Sequence, residues 1–211
     1  MPYAIVMHVE QTTAPRIVKL WDILAKRDDA GRVKFSDEQI RFNYPPHITL
    51  TVVDNADTDA VVEALKPIVA SWAPLTISFD SIAVLPRKPI APMILRPNVT
   101  AEILKLHKEV FDVLPSNSTT VYHRPNTWQP HVTLARDIPP ETLGDALTAV
   151  LERWNAFETT LDQMAVVYFK QQGKSEDLQE VWRVQLSNAV SRKRSSRTRP
   201  KIRTAGPTQL S

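Results

Sequence analysis

The amino-acid sequence predicts a mixed fold of strands and helices in which one β-α-β-α-β unit occurs twice, and three observations predict it. Apolar residues follow strand and helix periods in the same alternating order before and after a proline-rich break, "PRKPIAP", at Pro86 to Pro92. The phrase "PPHITL", Pro45 to Leu50, returns as "QPHVTL", Gln129 to Leu134, with its histidines 84 positions apart. A second pair, "FDSIAVL" at Phe79 to Leu85 and "LDQMAVV" at Leu161 to Val167, recurs at an offset of 82, aligning Asp80 with Asp162. Two matches in the same order at nearly one offset are what a duplication leaves.

Element by element, Tyr3 to Val9 is an apolar strand, and Ala14 to Arg27 has Ile17, Leu20, Trp21 and Leu24 on one helical face. A strand at His47 to Val53 follows. A helix at Asp59 to Val69 carries Val61, Val62, Leu65, Ile68 and Val69, and Leu75 to Leu85 alternates as a strand. After the break the order restarts with a strand at Met93 to Arg96 and a helix at Thr100 to Leu114, capped by Thr100. Strand His131 to Ala135, helix Glu141 to Trp154 and strand Phe157 to Phe169 complete the second unit. A last strand, "LQEVWRVQLS", closes the domain at Leu178 to Ser187. The expected division is a two-lobed domain over 1–187, with lobes at about 1–87 and 91–187, and a tail over 188–211.

A chain of 211 residues with 43% hydrophobic content can bury one ordinary core. Without cysteine there is no disulfide, thiolate nucleophile or cysteine zinc site. The N-terminal "MPYAIVMHVE" lacks a basic lead and is interrupted by His8 and Glu10, so it does not read as a signal peptide, and no run has the length of a membrane span. A soluble, cytoplasmic monomer is the expectation. The formal charge of +3 divides unevenly, because seven basic residues between Arg192 and Arg203 leave about −4 for the rest. That tail has too little apolar content to offset the entropy of ordering and is expected to be disordered; it reads equally as an RNA-binding arm or as a solvated end.

Strand parity places His47 and Thr49 on one face and Ile48 and Leu50 on the other, and His131 and Thr133 relate to Val132 and Leu134 in the same way. If a pseudo-twofold axis relates the lobes, two imidazoles and two hydroxyls meet across a cleft. Such a set suits a phosphodiester: one neutral imidazole takes a proton, a protonated one gives it back, and the hydroxyls hold the non-bridging oxygens. A metal reading is weaker, since no carboxylate accompanies either histidine and His8, His107 and His123 show no ligand spacing.

These paired H-x-T phrases on strands about eighty residues apart resemble the 2H phosphoesterase superfamily, and within it the 2′-5′ RNA ligase-like and RNA 2′,3′-cyclic phosphodiesterase branch. The resemblance covers roughly residues 1–187. It implies an α+β fold whose lobes bring antiparallel sheets together around a central groove with helices outside. His47, Thr49, His131 and Thr133 match the catalytic positions. It also implies a reaction without metal or other cofactor, opening 2′,3′-cyclic phosphate ends of RNA or nucleotides to 2′-phosphates. The same site, run with a 5′-hydroxyl in place of water, would join RNA ends through a 2′-5′ bond. The alternatives are a non-catalytic RNA or nucleotide-binding module, and a phosphodiesterase for cyclic oligonucleotides or 2′-5′ linked nucleotides.

Further candidates each have a plainer reading. Arg136, Lys88, Lys170 and Arg183 stand near strand ends where they could meet phosphate, or are solvated surface charges. Tyr44 and Trp128 flank the two motifs, where an aromatic could stack on a base or anchor a loop. Tyr168 shares strand parity with Lys170 and could reach the groove, or pack in a core. His8 and His107 read as structural.

Overall fold

The computed structural model describes residues 2–54, 56–85, 91–114, 121–169 and 178–187. Seven strands form one antiparallel sheet: β1 (Tyr3–Val9), β2 (His47–Val53), β3 (Leu75–Val84), β4 (Met93–Pro97), β5 (Val132–Ala135), β6 (Phe157–Phe169) and β7 (Leu178–Gln185). The helices are α1 (Ala14–Leu24), α2 (Glu38–Phe42), α3 (Thr58–Ser71), α4 (Ala101–Val113) and α5 (Leu143–Leu151). The predicted order holds throughout. The short α2 was not legible from periodicity, because five residues make barely more than one turn. Asp57 caps α3 by accepting from the Ala60 amide, and Thr100 caps α4 by accepting from Ile103, as expected for a short oxygen side chain before an apolar run.

The strand order is β2-β1-β6-β3-β4-β5, with β7 also paired to β6. The division expected near residues 87–91 is therefore not the division of the sheet. The third strand of each repeat crosses over: β3 pairs with β4, and β6 pairs with β1. The two exchanged strands pair with each other through Leu75↔Leu161, Ile77↔Thr159 and Phe79↔Phe157. At the sequence offset of 82, Ile77 corresponds to Thr159, and the outer two pairs interchange. A pseudo-twofold axis thus passes through the Ile77–Thr159 pair. Helices are exchanged too, since α1 lies on β5 and α4 on β2. Simple parity could not foresee the exchange, because a strand's face says nothing about which neighbour it takes.

Bulges repeat with the same symmetry. Leu50 is the extra residue between the pairs Ile5↔Thr51 and Val6↔Thr49, and Leu134 is the extra residue between Met93↔Ala135 and Ile94↔Thr133. Asp162 and Asp80 are likewise the extra residues of β6 and β3. Each bulge bends its strand and re-aims the side chains beside it. The helix-covered face of the sheet buries Ile5, Met7, Ile48, Leu50, Met93, Leu95, Val132, Leu134 and Met164 against Ile17, Leu20 and Leu24 of α1, Leu65 of α3 and Ile103, Leu106 and Val110 of α4. The opposite face holds the H-x-T residues. Among the described residues no helix is long and apolar enough to cross a membrane.

Candidate active site

Both H-x-T segments show the burial alternation their parity predicts: His47, Thr49, His131 and Thr133 are half-buried, while Ile48, Leu50, Val132 and Leu134 are buried. His47 and His131 each direct Nδ1 to the carbonyl two residues earlier, Pro45 O at 2.8 Å and Gln129 O at 2.7 Å. An imidazole that donates Nδ1–H to a carbonyl holds that tautomer and presents Nε2 as the atom that exchanges a proton. Both copies show this geometry, and a proline, Pro46 or Pro130, precedes each histidine.

The outer strands β2 and β5 approach within 8 Å between Cα atoms, and the His131 imidazole is near enough to His47 to affect its titration. Each motif is held by an indole belonging to the other repeat. Trp128 Nε1 donates to Thr49 O at 2.9 Å, and Trp21 Nε1 donates to Thr133 O at 3.0 Å. Outer strands leave alternate carbonyls without ladder partners, and these bonds fill two such vacancies immediately before the bulges.

Arg136 follows β5 and is exposed; its Nε lies 3.1 Å from Glu38 Oε1, and its guanidinium rests 5.1 Å above the Phe42 ring. Burial, with the positive charge of Arg136 and the His131 imidazole, holds His47 below the ordinary imidazole range, against the opposing effect of its bond to Pro45 O. Burial pushes the Glu38 carboxyl up, with Arg136 opposing.

Tyr44 stands beside His47. Its ring stands edge-on to His47 with centroids 5.2 Å apart, while its hydroxyl donates to Glu180 Oε2 at 2.8 Å and lies 3.0 Å from His8 Nε2. A hydroxyl with its proton on a carboxylate accepts from the imidazole, so His8 carries its proton on Nε2. Arg183 closes the chain by gripping Glu180 with Nε and Nη2, each at 2.7 Å. Residues three apart on a strand normally face opposite ways; the extra residue Val181 brings Glu180 and Arg183 to one face. His8 itself pairs with His47 across β1 and β2, is 3% exposed, and stands 6.3 Å from the His47 ring.

Two expectations are corrected. Trp128 is not a platform open to a base: it is buried, stacked on His107 at 4.0 Å and 5°, and committed through its N–H to Thr49. Tyr168 faces away from the groove, because Gln163, Ala165 and Val167 of β6 share the face of His8, and Tyr168 packs on Tyr3, whose hydroxyl is bonded by Thr58 of α3. Lys170, Lys88 and the basic tail lie outside the described residues. Sequence reasoning missed Trp21, Glu180 and the position of His8. His8 was findable, since it shares the polar face of β1 one strand from His47; Glu180 was not, because the bulge shifts its parity.

Residues 17–173 match the model of the 2′-5′ RNA ligase superfamily. No curated protein matches the chain. Among solved structures, the protein TT0787 of Thermus thermophilus is similar at 14% identity and a TM-score of 0.59, covering 88% of this chain and 98% of that one. E. coli LigT complexed with 3′-AMP is similar at 14% identity and a TM-score of 0.55, covering 89% and 100%. A structure described as a phosphoesterase is similar at 12% identity and 0.53, covering 88% and 98%. At these identities the likeness is one of fold.

Burial first, then the charges of His47 and Arg183, lower His8 from 6.5 to about 4, with Glu180 opposing. The unfolded chain therefore takes up this proton first as pH falls, and His8 withdraws stability between about 6.5 and about 4. The expected loss is roughly 3 kcal/mol once both values are passed. His8→Gln, which keeps a donor for Tyr44, should lose less stability between pH 7 and pH 4 than the wild type. Urea titrations of both proteins at the two pH values measure it, and parallel losses would mean that His8 is charged in the folded protein.

Proposed function

Because the chain belongs to the 2′-5′ RNA ligase superfamily of 2H phosphoesterases, we propose that it is a metal-independent phosphodiesterase that opens 2′,3′-cyclic phosphate ends of RNA or nucleotides to 2′-phosphates. The observation that supports this reading is the matched pair of Nδ1 bonds, which gives both imidazoles the same tautomer and so assigns Nε2 as the proton-exchanging atom of each. A phosphodiester needs a base on one side of phosphorus and an acid on the other.

His47 is the base. Its lowered pKa leaves it neutral near neutrality, so it accepts the proton of a water whose oxygen attacks phosphorus. The bond from phosphorus to the 3′-oxygen breaks, and His131 in its protonated form delivers a proton to that oxygen. The products are a 2′-phosphomonoester and a free 3′-hydroxyl, so atoms and protons balance. Thr49 and Thr133 donate to the non-bridging oxygens as charge gathers there, and Arg136 adds positive potential beside His47. With a 5′-hydroxyl in place of water, the same steps on the cyclic phosphate form a 2′-5′ phosphodiester bond and release the 3′-hydroxyl. The basic tail adds affinity for longer RNA through its cations.

His47→Ala and His131→Ala should each lower turnover of nucleoside 2′,3′-cyclic phosphates by at least about a hundredfold with the fold retained. Thr49→Val and Thr133→Val should cost less, about tenfold, each deleting one hydrogen bond to a charged oxygen. Product identification by chromatography and circular dichroism of each variant provide the check; a histidine variant with near-normal turnover would end the two-histidine mechanism. The pH–rate profile should be a bell whose acid limb lies below the ordinary imidazole pKa of about 6.5, since the base is the lowered group. EDTA should not change it, and loss of activity restored by a divalent ion would reassign the histidines to ligation. Truncation after Asn188 should leave mononucleotide turnover unchanged and flatten the salt dependence of RNA binding. Equal slopes for full-length and truncated proteins would leave the tail a solvated end.

A further inference from the structure

The two halves of the groove are not equivalent, and the difference lies one strand in from each catalytic histidine. On β1, His8 stands beside His47. The matching place on β4 follows from the repeated bulges: Ile5 and Val6 flank one, Met93 and Ile94 the other, so His8 corresponds to Arg96. The cross-strand partners agree, since His8 pairs with Gln163, Arg96 pairs with Ser81, and Ser81 and Gln163 align in the repeat. Leu95 pairs with Val132, which sets Arg96 next to His131, and Ile94 pairs with Thr133, which puts Arg96 on the face of the H-x-T side chains.

The chemistry at the two places is opposite. His8 is 3% exposed and tied to Tyr44. Arg96 is exposed, within a strand whose other residues are all buried. Two other cations near the groove are engaged by carboxylates, Arg136 by Glu38 and Arg183 by Glu180. Arg96 forms no ion pair with any described carboxylate, although Asp80 is exposed at the bulge beside its partner Ser81. An exposed guanidinium on the polar face, one strand of roughly 4.8 Å from a catalytic imidazole, is placed to meet an anion adjoining the one being cleaved.

We propose that Arg96 is a specificity-determining residue that binds the phosphate on the 5′ side of the terminal nucleotide, so that an RNA end enters the groove over β4 with its chain leaving on the His131 side. This rests on the function proposed above and extends it from the reacting phosphate to its neighbour. A 2′,3′-cyclic mononucleotide lacks that second phosphate and gains nothing from Arg96. Strands carrying it gain a charge-assisted, two-pronged contact.

The test uses the full chain, wild type and Arg96→Gln, with cytidine 2′,3′-cyclic phosphate and a six-nucleotide RNA ending in a cyclic phosphate. The expected result is unchanged kcat/KM for the mononucleotide and about a tenfold loss for the RNA. RNA affinity measured by anisotropy should fall similarly, with a salt slope shallower by about 0.7, the value for one phosphate contact on a single strand. Arg96→Lys should keep the slope and recover part of the affinity. The tail is common to all three proteins and cancels in the comparison. Equal losses on both substrates would place Arg96 on the scissile phosphate and overturn the proposal, as would RNA affinity and slope unchanged from wild type. Should the wild type turn over neither substrate, the proposed function fails, and the anisotropy series still decides the role of Arg96.

Discussion

The antiparallel pairing of β3 with β6 is the constraint on which the rest of the structure depends. At its centre Ile77 stands opposite Thr159, its own counterpart in the repeat. Everything else is then fixed in pairs. Because each third strand continues past this ladder to pair with the other repeat's first strand, neither repeat can form its sheet alone. One sheet results, with β2 and β5 at its two ends, and right-handed twist over that many strands turns the ends toward each other. A site assembled from two distant segments thereby rests on main-chain hydrogen bonds instead of on mobile loops.

Holding the ends together creates a second problem, which the bulges and indoles solve jointly. A regular strand would place its side chains at fixed spacing, and an outer strand would leave carbonyls facing outward. The bulge at Leu50 or Leu134 follows each threonine, and an indole from the opposite repeat takes up the threonine carbonyl. Trp21 comes from α1 and Trp128 from a loop, so the two indoles are not counterparts in the duplication. The same need, a donor for a bulged edge, was met twice by different residues. That is why an aromatic beside the second motif was a fair candidate for base stacking in the sequence and turned out to be a brace.

What was legible in the sequence followed from periodicity and repetition. The alternating order of elements, the face of each H-x-T pair and the capping by Thr100 are local properties, and local rules read them. The crossing of β3 and β6 was not legible, since hydrophobic pattern sets which face of a strand is buried and leaves its neighbours open. Parity arguments failed where an extra residue intervened, as at Val181, which hid the partnership of Glu180 with Arg183 and Tyr44. For Tyr168 the parity itself was available and the reference was wrong: counting from Lys170 gave one face, and counting from Gln163, the partner of His8, gives the other.

The charges around the groove answer to two opposing demands. Positive potential favours a phosphate, yet each uncompensated cation near an imidazole makes its proton easier to lose, and the proposed mechanism needs one imidazole to keep its proton. The carboxylates beside the cations reconcile these. Glu38 sits against Arg136 and Glu180 against Arg183, so the arginines keep their geometry while their field on the histidines is reduced. The His8 quartet belongs to the same balance: a buried histidine kept neutral adds no third positive charge beside His47, and the carboxylate that orders Tyr44 also answers Arg183. On the His131 side the place that matches His8 is taken by Arg96, which is exposed. A duplicated scaffold thus carries two histidines alike in their Nδ1 bonds with unlike neighbours, the asymmetry that the proposed reaction uses to give the two imidazoles unequal roles.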